Sequence, residues 1–151
     1  MPSVTTNDGV KLAYEQSGTS GPAVVLVHGW GASRESFTLN AGALAERCVV
    51  YRYDQRFHGE SDKPAWGFSV ARLAADLKDF IDALHLEKPV VVGTSLGCAV
   101  IWAYVELYAA ALAATHAANR AAASAATHAI TLAATHAAAR AASTLAAALP
   151  S

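Results

Sequence analysis

Ser95 is the residue best placed to do chemistry. It stands in Gly93-Thr94-Ser95-Leu96-Gly97, directly after Val90-Val91-Val92 and directly before Cys98-Ala99-Val100-Ile101-Trp102-Ala103. Three β-branched residues predict a buried strand, and the run after the second glycine predicts a helix. A G-x-S-x-G between strand and helix is a nucleophile elbow: small residues let strand and helix pack closely, and the serine Oγ stands exposed at the strand's end. Such a hydroxyl attacks carbonyl carbon, but only when an imidazole takes its proton and a carboxylate orients that imidazole. The bland alternative is a tight turn whose serine caps the following helix.

Upstream elements would position that serine. Val4-Thr5-Thr6 and Val10 to Glu15 flank Asn7-Asp8-Gly9, a hairpin signal. Ala23-Val24-Val25-Leu26-Val27 reads as a strand buried on both faces of a parallel sheet, ending in His28-Gly29-Trp30-Gly31-Ala32-Ser33. Helical spacing follows through Phe37, Leu39, Leu44 and Ala45, with Ser33 or Ser36 as its cap. Cys48 to Tyr53 is the next strand, and the polar stretch from Asp54 to Pro64 is its loop. Val70, Leu73, Ala74, Leu77, Phe80, Ile81 and Leu84 predict an amphipathic helix, with His85 answering its dipole. Strands alternating with helices imply a mostly parallel sheet covered on both faces. Sites in such sheets lie at the carboxyl ends of the strands. His28 to Gly31, Asp54 to Asp62, and Ser95 all fall there.

Composition excludes several classes. With 11 basic and 12 acidic residues the chain carries a formal charge of −1. That balance gives no reason to expect nucleic acid or an anionic membrane as partner. No basic segment followed by an apolar run opens the sequence, so no secretory signal is read there. Cys48 and Cys98 match no metal spacing and read as buried thiols; a cytoplasmic location, with no metal and no cofactor, is the expectation. Gly29-Trp30-Gly31 lacks the third glycine of a dinucleotide fingerprint.

The His28-Gly29-Trp30 turn, the Asp54-Gln55-Arg56-Phe57-His58-Gly59-Glu60-Ser61 loop and the Gly93 to Gly97 elbow occur together in the order and spacing of the α/β-hydrolase superfamily, which residues 5–108 resemble. The resemblance implies an α/β fold and Ser95 as nucleophile. It also implies that the backbone N–H groups of Trp30 and Leu96 form the oxyanion hole. A serine at this position favours esterase, lipase, lactonase or perhydrolase chemistry on a small molecule with an ester-like carbonyl. By the same resemblance Asp54 and Arg56 brace their loop, and His28 holds the oxyanion turn rather than acting as base. His58 and Asp62 read as surface loop residues, and Tyr104, Glu106 and Tyr108 as packing or solvated positions.

Family-like sequence gives way near Tyr108. Residues 109–151 hold 23 alanines among 43 residues, with Arg120 and Arg140 as the sole charges. The segment reads as a low-complexity helical extension foreign to the family. In this superfamily the triad order is Ser, then Asp or Glu, then His. No Asp or Glu follows Glu106, and the remaining histidines are His116, His128 and His136. On an unbroken helix His116 would lie about 31 Å from Ser95. The expectation is therefore a serine hydrolase cut off after its elbow helix and inactive, or nearly so, as this chain. The alternative is a non-catalytic pseudo-hydrolase binding a ligand or partner, and self-association through an open sheet edge stays open.

Overall fold

In the computed structural model, which describes residues 1–108, three parallel strands end level with one another. They are β3 (Ala23–Val27), β4 (Val49–Tyr53) and β5 (Val90–Gly93). Val27 pairs with Tyr53 on one side and with Gly93 on the other. That register brings His28, Asp54 and Thr94 to a single edge, with neighbouring strands about 5 Å apart. The sheet order is β1-β2-β4-β3-β5, where β1 (Ser3–Thr5) and β2 (Lys11–Ser17) form the expected antiparallel hairpin and β2 also runs antiparallel to β4.

Alternation along the strands sends side chains to two packed layers. Val24, Leu26 and Val50 meet Phe37 and Ala41 on one face, beneath a 3-10 turn (Arg34–Phe37) and α1 (Thr38–Leu44). Ser33 caps that turn, its Oγ accepting the Glu35 N–H. The other face packs under α2 (Val70–Ala83), where Leu73, Ala74, Leu77 and Phe80 are at most 1% exposed. Phe80 stacks on Tyr53 at 4.7 Å and meets Tyr14 edge-on at 5.4 Å.

Both ends of α2 are closed by short-range bonds. Ser69 Oγ accepts the Arg72 N–H at 3.2 Å. At the other end His85 takes the left-handed conformation (φ +51), with its N–H on the Asp82 carbonyl and the Leu86 N–H on the Ile81 carbonyl. This is a Schellman stop, normally given to glycine. His85 thus ends the helix through its backbone as well as lying near the dipole.

Two expectations are corrected here. Among the described residues β5 pairs with β3 alone, and Val90 and Val92 are 53% and 42% exposed, so the valine run is buried on one side only. Cys98 is exposed rather than buried, its thiol donating to the Gly93 carbonyl at 3.1 Å. No described helix is long and apolar enough to cross a membrane. The expectations for residues 109–151 lie outside the described residues.

Candidate active site

The elbow is built from close backbone contact. A Cβ on Gly97 would lie 2.1 Å from the Val27 carbonyl oxygen, and one on Gly93 would lie 2.6 Å from the Gly97 carbonyl carbon. No side chain fits at either position, so helix α3 (residues 96–108) starts directly against β3 and β5. Ser95 sits between them at φ +50, a region that costs a non-glycine residue on the order of 1 to 3 kcal/mol. Gly97 and Cys98 N–H groups close the turn onto the Thr94 and Ser95 carbonyls at 2.8 and 3.0 Å. Ser95 itself is exposed.

The turn after β3 comes up against this serine. A Cβ on Gly29 would lie 3.1 Å from Ser95 Cβ and 3.7 Å from Ser95 Oγ. Trp30 follows immediately, so Ser95, Trp30 and Leu96 are gathered at one point of the sheet edge. Among the described residues, bonds of these two turns are donated by Gly31, Ala32, Thr94, Gly97 and Cys98; the N–H groups of Trp30 and Leu96 are not among these donors. Leu96 is the first residue of α3, where an N–H has no carbonyl partner within the helix.

Two histidines stand behind that turn, and both are buried. His28 is 0% exposed, and its Nε2 accepts the Gln55 N–H at 3.0 Å. A lone pair is needed there, so its proton sits on Nδ1, facing the Gly29 carbonyl at 2.8 Å. With both nitrogens occupied, His28 braces the turn and is no base. Burial pushes its pKa below the ordinary histidine value, outweighing the Gly29 bond and the Asp54 charge that favour protonation. The unfolded chain therefore binds this proton at higher pH than the native one. His28's contribution to stability is full above about pH 6.5 and falls as the pH drops below it. Urea unfolding midpoints between pH 7.5 and 5 should fall accordingly, and a His28→Gln variant should show a shallower decline.

His58 is 7% exposed, which corrects the surface reading of this residue. Its position within a polar loop gave no sign of burial; the aromatic rings of Trp30 and His28 cover it at 5.1 and 5.0 Å. Asp62 is exposed as expected, its carboxylate accepting the Lys11 N–H at 2.8 Å. Asp54 and Arg56 do brace the loop. Asp54 accepts the Arg34 N–H at 2.7 Å and the Glu60 N–H at 2.9 Å, and pairs with the Arg34 guanidinium. Arg56, fully buried, grips Asp76 of α2 through Nε and Nη2 at 2.5 and 2.6 Å and reaches Asp8 at 3.0 Å. Of the α3 residues, Tyr104 is buried and Glu106 exposed.

Residue types alone did not reveal the row of rings that runs from Trp30, next to Gly29. Trp30, 63% exposed, packs on Phe68 at 4.9 Å, and Phe68 on Phe57 at 5.5 Å. Among the described residues no group of three or more His, Cys, Asp or Glu is arranged to hold a metal ion.

Comparison with known proteins places this arrangement. Residues 22–149 match the family model described as the alpha/beta hydrolase fold. An esterase from Exiguobacterium antarcticum superposes with a TM-score of 0.66 at 32% identity, over 68% of this chain and 38% of its own. A bromoperoxidase from Bacillus anthracis gives 0.67 at 32% identity, over 71% and 39%. The non-heme chloroperoxidase of Streptomyces lividans is 35% identical over 107 residues, covering 70% of this chain and 39% of the chloroperoxidase. The chain thus spans about two fifths of the length of these relatives. With its elbow after β5, its turn after β3 and its mostly parallel sheet, the chain belongs to the α/β-hydrolase fold family.

Proposed function

We propose that Ser95 is the nucleophile of an acyl-transfer reaction on an ester-like small molecule, with water as final acceptor. The observation that carries this is the left-handed backbone at Ser95, whose Oγ lies 3.7 Å from where a Cβ on Gly29 would sit. Strain of this kind persists only where the surroundings impose it. Ser95 Oγ adds to the carbonyl carbon, the carbonyl oxygen takes the negative charge, and the hydroxyl proton ends on the oxygen of the departing alcohol. The Trp30 and Leu96 N–H groups, which serve no turn, donate to that oxygen. The alcohol then leaves, and water releases the acid from the acyl-serine. Substrate is an uncharged or weakly charged ester, lactone or related acyl compound, because the rings of Trp30 and Phe68 offer an apolar surface beside the serine. The esterase and bromoperoxidase relatives are in keeping with this class.

A second reading, a non-catalytic member that keeps the pocket and binds a ligand, is favoured by one feature. Glu106 is the sole acidic residue after Ser95 in these 151 residues, and it stands exposed on α3, eleven positions past the elbow serine. A fluorophosphonate probe separates the two, since it needs one bond-forming event rather than turnover. The first reading expects stoichiometric labelling over hours that is lost in Ser95→Ala. Equal labelling of both proteins, or none, overturns it.

A further inference from the structure

We infer that His58 is a positioning residue for the turn that presents the Trp30 amide, and that it acts as a proton-released clamp. Neutral, it holds the turn; protonated, it lets go. The inference rests on the proposed oxyanion role of Trp30.

One imidazole touches both Trp30 and its neighbour. His58 Nε2 accepts the Gly31 N–H at 3.2 Å, while the ring meets the Trp30 indole edge-on at 5.1 Å and 86°. Gly31 itself is left-handed (φ +68). His58 Nε2 is the side-chain acceptor that meets the Gly31 N–H of this turn. The other ring nitrogen, Nδ1, carries the proton and donates to the Arg56 carbonyl at 2.9 Å. Arg56 is immobilised in turn by Asp76 and Asp8. Rigidity thus passes from α2 through Arg56 and His58 to Gly31.

Such a clamp works in one protonation state only. A backbone N–H can be met by a lone pair and not by another N–H. When Nε2 gains a proton, donor faces donor and the Gly31 bond is lost. His28, its ring centre 5.0 Å away, is held in the same tautomer, its Nε2 accepting the Gln55 N–H. The fixed charges around the pair are already engaged. Asp54, which favours protonation of His28, is held by Arg34 and the Glu60 N–H, and the Arg56 guanidinium faces Asp76 and Asp8. Phe68, packed on Trp30, brings no charge.

The test is nitrogen-15 NMR of the full chain from pH 8 to 5, following the imidazoles together with the Gly31 and Trp30 amides. At pH 8 the His58 ring should be the Nδ1–H tautomer. As His58 titrates, both amides should shift with its midpoint, and the Gly31 protection factor, taken against the intrinsic exchange rate at each pH, should fall about tenfold, the worth of one hydrogen bond. His58→Gln keeps an acceptor that does not titrate, and should hold Gly31 protected without pH dependence. His58→Phe should lose protection at every pH while the α2 amides stay unchanged. An Nε2–H tautomer, a Gly31 amide indifferent to His58 titration, or a ring that stays neutral until the chain unfolds would each overturn the clamp. These readouts need no reactive serine. Failed fluorophosphonate labelling with an intact clamp rejects the nucleophile alone, and Ser95-dependent labelling with a Gly31 amide indifferent to His58 rejects the clamp alone.

Discussion

Purified as these 151 residues, the polypeptide is expected to hydrolyse p-nitrophenyl acetate some 10⁴ to 10⁶-fold more slowly than a serine hydrolase with its full triad. In the proposed reaction the elbow and the Trp30 and Leu96 amides would supply charge stabilisation, but neither His28 nor His58 is placed to take the Oγ proton. His28, directly after β3, has both nitrogens committed to the backbone and is fully buried. His58 is committed in the same way. Among the described residues neither can accept the serine proton without breaking the turn that the reaction needs. Steady-state rates with Ser95→Ala as background measure the point. Ser95-dependent turnover of about 1 to 10³ s⁻¹, the usual range for enzymes, would show that a base is supplied after all.

Replacing Arg56 by methionine should cost about 3 to 5 kcal/mol of stability, the scale for stripping one partner from a buried ion pair. Arg56 is fully buried and Asp76 is 1% exposed. Burial already pushes the Asp76 carboxyl above the ordinary aspartate range, against the pull of the Arg56 and Arg72 guanidiniums. Without Arg56, Asp76 retains Arg72 at 2.9 Å, which sets the loss at the lower end of that range. The double variant Arg56→Met, Asp76→Leu should recover part of the deficit, because no buried carboxylate then faces the emptied Arg56 position. Urea denaturation of the three proteins decides it; an Arg56→Met midpoint equal to that of the parent would mean that the pair is a bystander.

Much of this architecture was readable from residue order. The valine-rich runs, the Asn7-Asp8-Gly9 turn and the apolar spacing from Val70 to Ile81 each carry a local signal, and each became the expected element. The elbow was readable for the same reason: G-x-S-x-G encodes a steric requirement that the overlaps at Gly93 and Gly97 display directly. Features that depend on distant partners were not readable. His58 looked like any polar loop residue, since its burial comes from Trp30, twenty-eight positions away, folding over it. The valine run at β5 predicted burial, yet its exposure is decided by whether another strand lies beyond it. His85 as a left-handed helix stop runs against residue preference, which would have asked for glycine.

The cross-ties between the turn after β3 and the loop after β4 bear on how this protein can be re-engineered. Arg34 and Gly31 on one side are fastened to Asp54 and His58 on the other, and Gln55 is fastened back to His28. Those segments behave as one inheritable cassette. A chimera that imports either alone from a homologue severs the fastenings, whereas joint exchange of residues 28–34 and 54–61 preserves them.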